Sequence, residues 1–461
     1  MHGPRFTRLL PTMIVAGAVA LAAGCNADLT VPDFNNPSLE ELAGNPSPTT
    51  IAQAAQGMLV GARSYMAAQN GYVSLLGILG RESYNFDPAD TRFITEMLVG
   101  PLDPGSPAFG ANLFDLRYRN IRLGNTILAA IGPVVGLSPE QKEAVRGFVK
   151  TIQAHDLLMV INTRDVNGAP IDVDIAPTGA PAPIATKADV FARIVSLLNE
   201  AQTHLTAGGT AFPFSLGNGF AGFDTPADFL KVNRAIKARV DVYMGNFAAA
   251  LTSLGGSFID TTASLDLGVY HVHSTGSGDA ENTLFDPTGR AILAHPSIVT
   301  DAKNKANGQP DNRLTRKVTT LGAPKTVQGV TTDVLFTIYG SPSASVPIIR
   351  NEELILLRAE ANIGLNNFAA AQTDINTIRV KSGGLAPTTI NAANALDELL
   401  YNKRYSLLFE GGHRWIDMRH YNRLAQLPLA VATHTRPSKF PFPESECLPR
   451  NPQPPGCTAA P

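Results

Sequence analysis

The residue types most able to do chemistry in this chain are histidines, carboxylates and glycine clusters, and their spacing decides what each could do. His271 and His273 alternate, so a strand would turn both to one face, and His295 could bring a third imidazole to a metal ion. No cysteine or carboxylate motif completes that set, and no metal centre is expected. Residues 217–222 read Gly-Asn-Gly-Phe-Ala-Gly and match G-x-G-x-x-G. No β-branched strand precedes them, and Asp224-Thr225-Pro226 follows where a dinucleotide-binding helix would begin. They read as a loop, and no cofactor is expected. Neither a G-x-S-x-G elbow nor an H-E-x-x-H helix occurs. A glycosidase needs only two carboxylates at a set separation, so surface glycoside hydrolysis stays open as an alternative. The chain is read as a non-enzyme without catalytic residues.

Binding is better represented than catalysis. Arg81, Tyr84, Asn85, Phe86 and Asp87 place aromatic faces beside hydrogen-bonding groups, the mixture that a sugar's CH face and hydroxyl rim require. They lie in residues 80–109, a turn-rich stretch containing Asp87-Pro88 and Asp103-Pro104-Gly105, read as a long surface loop. This is the first-choice ligand site. Phe212, Phe214, Phe220 and Phe223, and Tyr270 further on, are second choices that could equally plug the scaffold. Aromatic residues make up only 7% of the chain, which keeps a peptide ligand open beside a glycan.

These residues sit in a chain of 461 residues, 44% hydrophobic, with ample material for a large core. A formal charge of −2 provides no field to gather nucleic acid. Arg5 and Arg8 precede an apolar run at 9–23 that is too short for a membrane span and suited to a secretory signal. Leu21-Ala22-Ala23-Gly24-Cys25 resembles a bacterial lipobox, with Ala22 where leucine is usual. The expectation is a signal peptide over 1–24, lipidation of Cys25, and a flexible tether over 25–48; an ordinary signal peptide cut near Ala23 is the alternative. Three cysteines leave one single in an exported chain. With Cys25 acylated, Cys447 and Cys457 are expected to form a disulfide in the Pro-rich tail.

The elements that must position all this are helices. Ser138-Pro139-Glu140-Gln141 predicts a helix start with Ser at the cap, Pro at N1 and Gln at N3, and Thr186-Lys187-Ala188-Asp189 predicts another. Residues 238–250 recur as 359–371, ending Gly245-Asn246-Phe247-Ala248-Ala249-Ala250 and Asn366-Asn367-Phe368-Ala369-Ala370-Ala371. Ile236 answers Leu357, Val240 answers Ala361, Met244 answers Leu365 and Phe247 answers Phe368, spaced as one apolar stripe per helix. Small Ala at the crossing, a tight turn and an aromatic after it form the tetratricopeptide pattern. The fold class expected is mainly α: tetratricopeptide-like hairpins near 113–162, 228–254 and 350–381 in one domain over 49–461. Residues 255–347 show little helical periodicity and read as a long irregular, functional insert.

With these elements placed, the chain resembles the SusD/RagB family. Residues 351–361 and 374–379 resemble its late repeat helix. Phe409-Glu410-Gly411-Gly412-His413-Arg414-Trp415-Ile416-Asp417-Met418-Arg419, inside a signature region at 401–424, resembles its C-terminal Phe-Glu-Gly, Arg-Trp and Asp-x-Arg pattern. Gly412 and the cysteine-bearing tail depart from it. The resemblance implies a lipid-anchored protein of the outer membrane, at the cell surface. It would capture a nutrient such as a glycan oligosaccharide and pass it to a TonB-dependent, SusC-like transporter. A tetratricopeptide scaffold that binds only protein is the other alternative. Trp415 is expected in the core, with Arg414, Asp417 and Arg419 pairing with one another and with Glu410.

Overall fold

The computed structural model describes residues 42, 44, 46–106, 111–175 and 179–460. Cys25, the signal segment 1–24 and nearly all of the tether lie outside them. Helix starts follow the capping chemistry of the sequence. Ser47 Oγ accepts from Thr50 N at 3.1 Å and opens α1 (Pro48–Arg63). The apolar helix α2 (Tyr72–Leu79) runs into a short strand β1 (Ser83–Asn85), and α3 (Asp115–Ala130) follows. Ser138 and Gln141 satisfy each other's backbone N–H in a complete capping box at the start of α4 (Pro139–Arg164). Thr186 caps α5 (Lys187–Thr206) and Thr225 caps α6 (Pro226–Tyr243), each accepting from an Asp N–H three residues on, at 3.2 and 3.1 Å. Every residue of α4 from Thr151 to Arg164 is buried, so this helix is the axis on which α3, α5 and α6 pack.

The repeat in the sequence is a repeat in space. α6 turns back as α7 (Phe247–Gly255), and α8 (Asn351–Gly364) turns back as α9 (Phe368–Ile378), with α7 packed on α8. The two turns agree in detail. Gly245 and Asn366 both take positive φ, 74° and 60°, and the next residues, Asn246 and Asn367, sit at φ −85° and −83°. Asn246 N and Asn367 N then reach back to Asp241 O and Asn362 O, at 2.8 and 2.7 Å. Ile236, Leu357, Val240 and Ala361 are buried as the stripe requires. Met244 and Leu365 are not: both lie just past a helix end and are over a third exposed, so the stripe stops one turn earlier than its spacing suggests.

Between the hairpins, residues 255–347 are more regular than expected. β2 (Gly268–His271) pairs antiparallel with a strand just beyond them, and β3 (Ile292–Ala294) pairs with β1. β4 (Val318–Val327) and β5 (Val330–Phe336) form a hairpin closed by Gln328 and Gly329 at φ 49° and 79°, the two positive values a type I′ turn needs. β6 (Val346–Arg350) is the partner of β2 and leads straight into α8. One further two-stranded pair joins Ala169–Pro170 to Ile184–Ala185.

The stretch 80–109 is not a surface loop over its first third. Arg81, Tyr84, Asn85 and Phe86 are all at most 5% exposed, because β1 inserts beside β3 and its side chains enter the second apolar core with α2 and Trp415. The helices α10 (Ala395–Ser406) and α11 (His413–His420) close this core. Trp415 is fully buried and donates Nε1–H to Pro437 O at 2.9 Å. The charged residues around it do not pair among themselves. Asp417 accepts from Lys403 at 2.6 Å, Glu410 accepts from Arg350 and Lys317 at 2.9 and 2.7 Å, Arg414 donates to Gly80 O at 3.1 Å, and Arg419 donates to Asn162 O at 2.7 Å. Each reaches a different element because adjacent helical side chains diverge. Together they tie the C-terminal signature to α4, β6 and α10. In the tail, Cys447 and Cys457 are joined by a disulfide.

Candidate functional site

Four elements and one glycine loop leave a pocket of about 230 Å³ between them. α1 supplies Gln56, Leu59, Val60 and Arg63 along one edge, and α4 supplies Thr151, Ile152 and His155 to the floor. α6 supplies Phe229, Val232 and Ile236, and the far wall is Tyr270, His271 and Val272 at the end of β2. The loop at 215–220 covers one side. Its glycines are explained by backbone geometry and not by a phosphate. Gly217 and Gly222 have φ of 74° and 79°, and a methyl group on Gly219 would stand 2.2 Å from the backbone oxygen of Tyr270. The loop therefore lies directly on β2.

Most of the lining is apolar, and its polar groups fall into two kinds. Thr151 is committed within the protein: its hydroxyl donates to Gly147 O and accepts from Asn233 Nδ2, both at 2.8 Å. Arg63 is committed at the rim, donating to Val272 O at 2.6 Å and pairing with Asp279, which pins the segment after β2 to α1. His271 differs. It is 4% exposed and its Nε2 has no hydrogen-bond partner among the described residues. His155 stands beside it with ring centroids 6.1 Å apart. Burial holds both imidazoles neutral, pushing His155 down to about 3 and His271 well below the ordinary value, with Arg239 and Arg117 adding repulsion at His155.

Tyr270 also borders a second, polar cleft of about 440 Å³ on which Asp266, Arg316, Arg350, Glu352 and Lys381 open. Its hydroxyl donates to Asp266 O, and its ring is half-buried, presented to both spaces. Arg316 donates to Ser382 O and Oγ, both at 3.0 Å, and Lys381 donates to Thr261 O at 2.6 Å. Among the described residues, neither makes an ion pair with a carboxylate at contact distance.

The sequence-predicted residues divide sharply. Phe220 and Tyr270 line the pocket together. Phe223 packs on Phe258 with centroids 4.8 Å apart, while Phe212 and Phe214 pack on Phe148, so these three rings serve the scaffold. Arg81 spends its guanidinium on the carbonyls of Pro428, Ile78 and Thr435, and Tyr84 stacks on Phe86 and packs at a tilt against His295. A ligand would have to open the core to reach them. Asp87 is half-buried and caps its own turn by accepting from Ala89 N at 2.9 Å. His295 accepts from Ser297 N at 3.1 Å in that same region, apart from the His155 and His271 pair, and no group of three metal-ligating residues forms among the described residues. Gln56, Arg63 and His155 were missed. Only His155 carried a signal, as the single imidazole in a helix whose run 154–161 is otherwise apolar except for Asp156.

Residues 299–435 match the model of the SusD family. A comparison with curated proteins finds no match. Among solved structures, the fold is similar to a laminarin binding SusD-like protein at 17% identity, covering 89% of this chain and 99% of that one with a TM-score of 0.66. A SusD superfamily protein from Bacteroides vulgatus is similar at 16% identity, 88% and 97% coverage and a TM-score of 0.66. Another, from Bacteroides thetaiotaomicron, is similar at 13% identity, 89% and 100% coverage and a TM-score of 0.68.

Proposed function

We propose that this protein, a member of the SusD/RagB family, captures a glycan oligosaccharide at the bacterial surface and delivers it to a TonB-dependent, SusC-like transporter. The observation that carries the reading is Tyr270, half-buried between an apolar pocket and a polar cleft. A sugar chain needs both: an aromatic face for its CH surface and charged or amide groups for its hydroxyls. Similarity to a laminarin binding SusD-like protein supports a glycan over other nutrients. The capture site is thus moved from the buried 81–86 stretch to the pocket that holds Phe220 and Tyr270.

The anchor belongs to the same reading. Acylation of Cys25 would hold the protein at the outer membrane, since among the described residues no helix is long and apolar enough to cross one. Several acyl chains are needed for stable attachment. Binding without turnover is expected: Glu352 and Glu410, the buried carboxylates of the polar cleft, are held in ion pairs with Arg350 and Lys317 instead of standing as a free acid and nucleophile.

Calorimetry of the full chain against a panel of oligosaccharides and peptides, with product analysis on each hit, tests the proposal. Saturable oligosaccharide binding without hydrolysis, weakened at least tenfold by Tyr270→Ala, is the expected result. Hydrolysis products would replace capture with glycoside hydrolysis. Silence across the panel, with a transporter recovered in pull-down, would reduce the protein to a transporter subunit. Loss of membrane association in Cys25→Ala tests the anchor separately.

A further inference from the structure

The pocket is poorly suited to an unsubstituted sugar ring at its base. A pyranose carries hydroxyls around its whole edge, and each one buried without a partner opposes binding. Deep in this pocket the walls are Leu59, Ile152, Phe220, Phe229, Val232 and Ile236. Thr151 has already used its hydroxyl on Gly147 and Asn233. At the mouth, beside Gln56 and Arg63, Val60 and Val272 are 53% and 37% exposed. Exposed valines at the entrance to an apolar hole favour an apolar entrant.

His271 Nε2 is unpartnered among the described residues but carries almost no accessible surface, so it offers an occupant of the pocket no hydrogen bond. Size limits the entrant. An apolar cavity of roughly 150 Å³ is enough for benzene, and this one measures about 230 Å³. The remainder is room for a few further atoms.

We infer that the pocket takes an apolar substituent of the captured ligand, the size of a substituted aromatic ring, while the sugar portion stays outside against Tyr270. This rests on the capture reading above and narrows its ligand to a decorated glycan. The polar cleft beyond Tyr270 is then the place for hydroxyls, and the pocket is the place for the decoration.

Titration of the full chain with phenyl β-glucoside, methyl β-glucoside, phenol and toluene, followed by NMR or calorimetry, tests this. Phenyl β-glucoside should bind at least tenfold more tightly than methyl β-glucoside, and toluene at least as tightly as phenol. Val60→Trp changes an exposed residue at the mouth and should weaken every aromatic probe. Equal binding of the two glucosides would overturn the inference and leave glycan capture intact. Binding of phenol without either glucoside would uphold the pocket chemistry and count against the sugar portion of the capture reading. If no aromatic probe binds, the inference fails, and the oligosaccharide panel alone then decides whether capture fails with it.

Discussion

Gly219 rests against the backbone of Tyr270 so closely that an added Cβ would lie 2.2 Å from the Tyr270 oxygen. That contact joins the loop at 215–220 to β2 and sets the width of the pocket between them. Glycine is required there by approach, whereas Gly217 is required by its φ of 74° and faces open space.

Gly219→Ala should therefore lift the loop from β2, costing about 2 kcal/mol of stability and weakening ligand binding at least tenfold. Gly217→Ala should cost about 1 kcal/mol through backbone strain alone and leave affinity nearly unchanged. Thermal unfolding and calorimetry on both variants separate the two effects, and equal losses of affinity would show that the loop does not shape the pocket.

The two repeats meet through another glycine. A Cβ on Gly364 would stand 2.2 Å from the ring of Phe247, so α8 ends against the aromatic that begins α7. Gly364→Ala should destabilise by about 2 kcal/mol. In the double variant with Phe247→Ala the ring that clashes is gone, so the combined loss should fall short of the sum by about 1 kcal/mol. Chemical denaturation of the four proteins measures the cycle; strict additivity would mean that the helices do not transmit this contact.

Stability should vary with pH in a direction set by Glu82. Burial pushes its carboxyl from the ordinary 4.5 up to about 7, with Arg414 only partly offsetting it. Between those values the native state holds a proton that the unfolded chain has released, so this contribution to stability falls as pH rises from about 4.5 through 7. Its full extent is about 3 kcal/mol. Neutral buried imidazoles act oppositely. His155 and His295, held down to about 3, lose stability as pH falls below about 6.5, where the unfolded chain takes up protons. Glu82→Gln should gain stability relative to the parent at pH 8 and lose that advantage at pH 5. A difference in unfolding free energy independent of pH would contradict the assignment.

Reduction of the tail disulfide should be felt locally. Cys447–Cys457 closes a loop of ten-residue separation that packs beside Phe442, whose N–H donates to Gly456 O at 2.7 Å. Replacing both cysteines by serine should remove about 3 kcal/mol in the chain-entropy model and speed hydrogen exchange at Phe442 and Gly456. Unchanged exchange there would show that the tail is held by packing alone.

Much of the scaffold was legible because its signals are local. Ser138 with Gln141, Thr186 with Asp189, and the paired runs at 238–250 and 359–371 act within a few residues of themselves, so helix starts and hairpins could be read directly. The hairpin of β4 and β5 was legible in principle, in the alternation on either side of Gln328-Gly329, and was passed over because its many Thr and Gly residues read as irregular. Residues 81–86 misled for a different reason. Aromatic and polar side chains beside turns have the composition of a binding loop, and nothing local says that Ser83 to Asn85 will pair with Ala294 to Ile292, two hundred residues later.

The sequence by itself determined the mainly helical class, the repeat, and the family resemblance of the C-terminal signature, because caps, periodicity and motif spacing are short-range properties of the chain. Tertiary structure alone decided the site. Gln56, His155, Phe220 and Tyr270 lie on four separate stretches and share one pocket only after α1, α4 and β2 have packed. Burial likewise decided which aromatics remain available, since Tyr84 and Tyr270 both sit on short strands and are separated by what folds over them.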